Sequence, residues 1–251
     1  MNTKLPRLLL AATVLCLAAC TTSKPKASQS ATNGAAAQDD YDIATQISDP
    51  LEPLNRATFV MNDKIYQWVL TPVSKTYTAV LPAGVRDCID NVYENAKFPV
   101  RFINAGLQGK FNRAGKELQK FAVNTFAGFG GIIKQSNRIP SLSGVPSEDA
   151  GQTLAKWGLG HGPYLVLPLL GPSSAREVVG LAGDYALDPI NWGFFLQSDA
   201  DDWAWIPSTG NTVRALPLQL QRYNDTTATA IDPYTAVRST FVQNRNSAAT
   251  E

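Results

Sequence analysis

The stretch Gly160–Ser174, "GHGPYLVLPLLGPSS", holds the only histidine of the chain beside a dense apolar run that glycine and proline cut at both ends and in the middle. It admits three readings: a catalytic loop with His161 as base, a buried core segment, or a surface made for lipid. The run is too short to span a bilayer, which takes ~20 helical residues. Pro168 removes a backbone donor and argues against a central sheet strand. His161 stands between Gly160 and Gly162, a setting for a turn residue or a hydrogen-bonding surface group rather than a base.

Chemistry elsewhere in the chain narrows the choice. A single histidine and one spare cysteine do not furnish a zinc site, and no G-x-S-x-G nucleophile elbow accompanies His161. "GLGHG" has no strand before it and Pro163 after it, so it is a poor phosphate loop. Asp199, Asp201 and Asp202 in "SDADDW" read as a solvated turn or helix start. No catalytic residue, metal or cofactor is expected, and the chain is not read as an enzyme. A net charge of +1 without a dense Lys/Arg run argues against nucleic acid. Charged residues make up 17%, below the roughly 25% usual in soluble proteins.

The N-terminus reads as an export signal. Lys4 and Arg7 precede Leu8–Ala19, apolar apart from Thr13, a length that suits a signal core and not a membrane span. Leu17-Ala18-Ala19-Cys20 resembles the bacterial lipoprotein signal, so residues 1–19 are expected to be removed and Cys20 to be lipidated. Thr21, where an aspartate would favour inner-membrane retention, points by the same resemblance to the outer membrane. Cys16 leaves with the signal and only Cys88 remains, which forms no intrachain disulfide and is expected as a small buried side chain. Residues 20–48 are Ser/Thr/Ala/Gln-rich and read as a lipidated flexible tether with a reach of very roughly 30 Å.

From residue 49 to 245 the pattern is mainly α, many short amphipathic helices broken by Pro and Gly in a single domain. Asp49, Pro50 and Glu52 form a capping-box pattern, followed by Leu51, Leu54, Met61, Ile65 and Trp68 down one helical face. Thr71-Pro72 and Leu81-Pro82 each read as a stop and restart. Asn112 is a candidate cap for a helix that ends at Gly128, Gly130 and Gly131. Asp232-Pro233 repeats the opening device, and 246–251 reads as a disordered tail. "FAGFGGII" places Phe126, Phe129, Ile132 and Ile133 around three glycines, where the aromatics could enter a leaflet. Asn62-Asp63 and the glycines are candidate hinges.

Several stretches together resemble the MlaA/VacJ family of outer-membrane lipoproteins: "DPLEPLNRATFVMND", "NAKFPVRFINAGLQGK", "EDAGQTLAKWGLGHGPYLVLPLLGPSSAREVVG" and "DPYTAVRSTFVQNR". The resemblance runs from about Asp49 to Arg245 and is weaker between Ile190 and Ile231. It implies a ring-like helical protein embedded in the inner leaflet of the outer membrane of a Gram-negative cell. It further implies removal of mislocalised phospholipid from the outer leaflet through a polar channel. A soluble periplasmic lipid carrier would deliver that lipid to an inner-membrane ATP-driven complex, and a porin trimer would be a membrane partner. On this resemblance Tyr164, Leu165, Leu167 and Leu169 become candidates for lipid contact in the ring wall, and His161 inherits no catalytic role. A structural envelope lipoprotein, acting as a tether or assembly partner, is the alternative.

Overall fold

The computed structural model describes residues 47–196 and 206–250. Cys20, the signal, the tether up to residue 46 and the "SDADDW" aspartates lie outside the described residues. The elements in chain order are α1 (Glu52–Ile65), a π-helical turn (Tyr66–Leu70), α2 (Thr71–Val80), α3 (Ala83–Ala96), α4 (Phe98–Leu107) and α5 (Phe111–Phe126). A 3₁₀ turn (Gln135–Arg138) leads to α6 (Ala150–Lys156), the strands β1 (Tyr164–Leu167) and β2 (Gly171–Ser174), α7 (Ala175–Leu187), α8 (Pro189–Leu196), α9 (Ile206–Thr227) and α10 (Pro233–Thr250).

Proline and glycine place most boundaries where the sequence puts them. Leu81 turns extended after α2, and Pro82 is the N-cap of α3. Asp149 caps α6 through the Gln152 N–H at 2.8 Å, and Ser174 caps α7 through the Glu177 N–H at 3.4 Å. Asp232 caps α10, its carboxylate accepting from the Tyr234 N–H at 3.1 Å and the Thr235 hydroxyl at 2.7 Å. The α5 cap is Lys110 rather than Asn112, which lies inside the helix.

Five further expectations are corrected. Thr71-Pro72 does not stop the helix: the π turn widens the backbone just before Pro72, whose missing N–H and bulky ring would otherwise clash with the preceding turn, and α1 runs on into α2. No helix break occurs at Asn62-Asp63; the irregularity lies farther on, at Tyr66–Leu70. Asp49 does not cap α1, whose N-cap is Leu51; its carboxylate instead accepts from the Asn55 amide at 2.7 Å and the Tyr234 hydroxyl, and pairs with Arg238 at 3.4 Å. The end of the chain is not a disordered tail, because α10 continues to Thr250 and Asn246 is bonded to His161 at 2.9 Å. Cys88 is half-buried rather than enclosed.

The quoted stretch folds as a two-stranded antiparallel hairpin, with Tyr164 opposite Ser174 and Leu167 opposite Gly171. Pro168 stands exposed in the turn, where no ladder bond is lost. The hairpin lies against α1. The Asn55 amide donates to the Tyr164 carbonyl at 3.0 Å and accepts from the Val166 N–H at 2.8 Å. Two helical turns on, Asn62 donates to the Leu167 carbonyl at 2.8 Å and accepts from the Leu169 N–H at 2.7 Å. Leu169 is a non-glycine residue at φ 67°, and the Tyr66 hydroxyl donates to its carbonyl at 2.8 Å, so both of its backbone groups are held. Tyr164, Val166, Ile47, Tyr234 and Val242 form one apolar cluster; Tyr66, Leu216 and Leu220 form another.

α6 packs on α7, α4 on α5, and α2 and α10 on α9. The α6–α7 contact requires glycines: a Cβ on Gly180 would meet the Gly151 N at 2.5 Å, and one on Gly151 would meet Glu177 Oε2 at 2.3 Å. Among the described residues no helix is long and apolar enough to cross a membrane.

Candidate functional site: a polar cavity inside an apolar shell

The distribution of polarity is inverted. On the helical run from Glu52 to Val80 the buried side chains are Asn55, Asn62, Tyr66 and Ser74, while Leu54, Val69 and Val80 are exposed and Trp68 is 73% exposed. The apolar stripe down this helix faces outward and its amides face in. The same holds at α5, where Glu117 is fully buried while Phe111 and Phe126 are exposed. Among the described residues buried polar and charged side chains outnumber buried apolar ones. Apolar surface this extensive, arranged around a polar interior, belongs in contact with lipid or another protein.

Inside the shell lies a cavity of about 450 Å³. The α3–α4 corner contributes Glu94, Lys97 and Arg101, the start of α6 contributes Glu148 and Asp149, and α7 contributes Glu177, Asp184 and Asp188. Arg222 comes from α9 and Arg245 from α10, while Val100, Leu167, Leu170, Leu181, Val237 and Phe241 supply apolar wall. The lining therefore offers charge for a headgroup and apolar surface for chains.

Most of these charges are neutralised within the wall. Arg101 Nε donates to Glu117 Oε2 at 2.7 Å, and Lys120 reaches Glu117 Oε1 at 2.6 Å. Lys110 bonds Glu148 Oε1 at 3.1 Å and Arg113 shares that oxygen. Arg245 bridges Asp149 at 2.7 Å and Glu177 at 2.5 Å, and Arg176 meets Glu177 at 2.9 Å. Burial pushes the Glu94 carboxyl up, but Lys97, Arg101, Arg214 and Lys134 together bring it below its ordinary value. Burial lowers the Lys97 ammonium against the pull of Glu94. Burial raises Asp184 to about 7, reinforced by Asp149 and opposed by the Ala150 N–H and Asn104.

His161 sits at the edge of this network. Arg176 Nη2 lies 3.1 Å from His161 Nδ1, and a guanidinium only donates, so Nδ1 accepts and the ring is neutral with its proton on Nε2, facing Asn246 Oδ1 at 2.9 Å. Burial, then the Arg176 charge, holds its pKa below the ordinary 6.5, against the Asn246 bond and Glu177. The folded chain therefore takes up this proton less readily than the unfolded chain. The stability it contributes is complete above pH 6.5 and is lost as pH falls below that value. His161→Gln should flatten the acid side of a melting-temperature profile between pH 8 and 5; an unchanged acid limb would contradict the assignment.

The expected lipid-contact residues divide. Tyr164 is fully buried against Tyr234 and Phe241, so it is core and not wall. Leu165 and Leu169 are half-buried off the cavity, and Leu167 alone of the four lines it. Phe126 at the end of α5 and Phe129, Ile132 and Ile133 just beyond it are exposed, Phe126 by 87% and Phe129 by 74%, and none lines the cavity. Phe129 also adopts φ 53°, so an exposed aromatic is held in a strained backbone. The surrounding glycines build a packed turn: a Cβ on Gly128 would meet the Ile133 carbonyl at 2.1 Å, and one on Gly131, at φ 98°, would meet Asn95 at 2.7 Å. Gly130 alone of the three has open space.

The model of the MlaA lipoprotein family matches residues 47–248. The chain belongs to the MlaA lipoprotein family. Family members are outer-membrane lipoproteins of Gram-negative bacteria that serve transport and are not enzymes. An uncharacterised protein of Rickettsia conorii is 32% identical over 77% of this chain and 75% of its own length. The intermembrane phospholipid transport system lipoprotein MlaA of Haemophilus influenzae is 28% identical over 85% of this chain and 84% of its own. A solved structure described as the structural basis for maintenance of bacterial outer membrane lipid asymmetry superposes with a TM-score of 0.66 at 28% identity, covering 80% of this chain and 99% of that one. The MlaA resemblance carried by the "GQTL" to "GPSS" motifs thus holds, and those motifs build α6, the hairpin and one wall of the cavity.

Proposed function

We propose that this chain is the outer-membrane lipoprotein of a phospholipid transport system that maintains lipid asymmetry. It takes phospholipid misplaced in the outer leaflet through its polar cavity and passes it to a soluble periplasmic carrier. That carrier feeds an inner-membrane ATP-driven complex. One observation carries the reading: a charged cavity walled by short helices whose outer faces are apolar. Such a wall keeps a headgroup solvated while acyl chains trail along apolar surface. The path itself is passive, so the direction of flow comes from the partners.

The rest of the molecule fits this role. Lipidated Cys20 anchors the chain, since each buried methylene contributes ~0.8 kcal/mol and two or more acyl chains hold firmly. Residues 20–48 act as the tether, and residues from 49 onward form the transport domain. Phe126, Phe129, Ile132 and Ile133 enter the leaflet, and Gly130 is the candidate hinge of their turn. The exposed belt of Trp68, Val69 and Val80 is available to acyl chains or to a porin trimer.

Deleting the gene should raise surface-exposed phospholipid and sensitivity to detergent or chelator, with total phospholipid unchanged. Surface labelling of phospholipid alongside extraction of total lipid measures both. Lysophospholipid or free fatty acid generated by the purified chain alone would overturn the reading.

A further inference from the structure

The cavity wall carries charges that the fold leaves unmatched. With Arg101, Lys110, Arg113, Arg176 and Arg245 committed to carboxylates, Asp184 and Arg222 line the cavity with no ion pair among the described residues. Asp184 Oδ1 accepts from the Ala150 N–H at 2.8 Å and the Asn104 amide at 3.1 Å, while Oδ2 has no hydrogen-bond partner among the described residues. One turn along α7, Asp188 is 5% exposed; its Oδ1 accepts from the Ile190 N–H at 3.0 Å and its Oδ2 is likewise unmatched. Both aspartates line the same cavity. The half-buried Arg222 guanidinium, on α9, has no acceptor among the described residues.

Asp184 is half-buried and Asp188 buried, and the charges of Lys97 and Arg214 act on Asp188 through space. A carboxylate oxygen without a hydrogen bond on a cavity wall is an open acceptor for a further cation. We propose that this cavity holds a two-point headgroup subsite for zwitterionic phospholipid: the unmatched Oδ2 atoms of Asp184 and Asp188 take a primary ammonium, and Arg222 takes the phosphodiester. An ammonium has three donors and no acceptor, which suits two carboxylate oxygens, and a guanidinium fork matches two phosphate oxygens. An anionic headgroup with hydroxyls in place of the ammonium satisfies Arg222, but its hydroxyls donate to the aspartates without bringing a compensating charge, which makes the weaker bond. The cavity volume, about 450 Å³, is in the range of ligand-sized pockets. This inference rests on the phospholipid-transport reading and gives that site its headgroup preference.

The test uses the full lipidated chain in detergent, mixed at pH 8.5 with vesicles of equal phosphatidylethanolamine and phosphatidylglycerol, followed by chromatography of the retained lipid. The wild type should retain the ammonium lipid about tenfold over the other, the ratio that one hydrogen bond to a charged group supports. Asp184→Asn should bring the ratio near unity with total retained lipid little changed, and Arg222→Gln should lower retention of both lipids. Asp184→Asn should also melt at a higher temperature than wild type at pH 8.5, where the wild-type carboxylate is charged, desolvated and repelled by Asp149, and the Arg245 charge offsets this only in part. That readout shows that the variant folds. A wild type and Asp184→Asn with equal ratios would overturn the subsite alone. Retention of neither lipid by the wild type would overturn the transport reading and the subsite with it.

Discussion

Replacing Glu117 by alanine is expected to lower the free energy of unfolding by about 3–5 kcal/mol, the usual penalty for removing one partner of a buried ion pair. Glu117 is fully buried and receives both Arg101 and Lys120. Without it the Arg101 guanidinium, 11% exposed, keeps only the Glu94 carbonyl at 2.9 Å and the Glu94 carboxylate at 3.8 Å. Because Arg101 lines the cavity, the loss should also disturb lipid retention. Glu117→Gln retains an acceptor and should lose less. Denaturant midpoints measure the difference; a loss below about 1 kcal/mol, the scale of a solvated surface pair, would mean that cavity water already solvates Arg101.

The second large effect concerns Asn62. Asn62→Ala strips a donor from the Leu167 carbonyl and an acceptor from the Leu169 N–H, and each backbone group left unpaired costs ~1–3 kcal/mol. A total of about 2–6 kcal/mol is expected. Leu169 sits at φ 67°, so freeing its N–H also releases the strained turn. Amide exchange at Leu169 should rise far more than at Val166, which Asn55 holds. Equal exchange at both positions would contradict an independent role for the two asparagines.

How much of this was legible follows from what each residue type can signal. Pro82 and Asp232-Pro233 mark helix boundaries because capping and ring constraint act locally, and they fell where expected. The apolar stripe Leu51, Leu54, Met61 and Trp68 was equally plain. Periodicity locates a stripe but not the solvent it faces, and here it faces out. The hairpin escaped because β1 is four residues long and its partner "GPSS" has no alternation to read. The wall charges escaped for a related reason: on an amphipathic helix Glu117 or Arg101 resembles a solvated face. Asp184 had a signal available, since it is isolated among Gly, Ala and Leu on α7, where a solitary carboxylate has little local excuse. Whether Arg222 shares a cavity with it depends on the packing of α7 and α9 around one space, which no local pattern encodes.

The asparagines that hold the hairpin have one more consequence. A two-stranded ribbon presents a free edge, and free edges recruit further strands from neighbouring molecules. Along β1 that edge is sealed from within the chain: Ser48 receives the Tyr164 N–H at 2.8 Å, and Asn55 and Asn62 occupy the groups that follow. The helix thus stands in for a third strand and ends the sheet on that side. Along β1 the backbone groups that would pair with a strand of a neighbouring copy are thereby already taken.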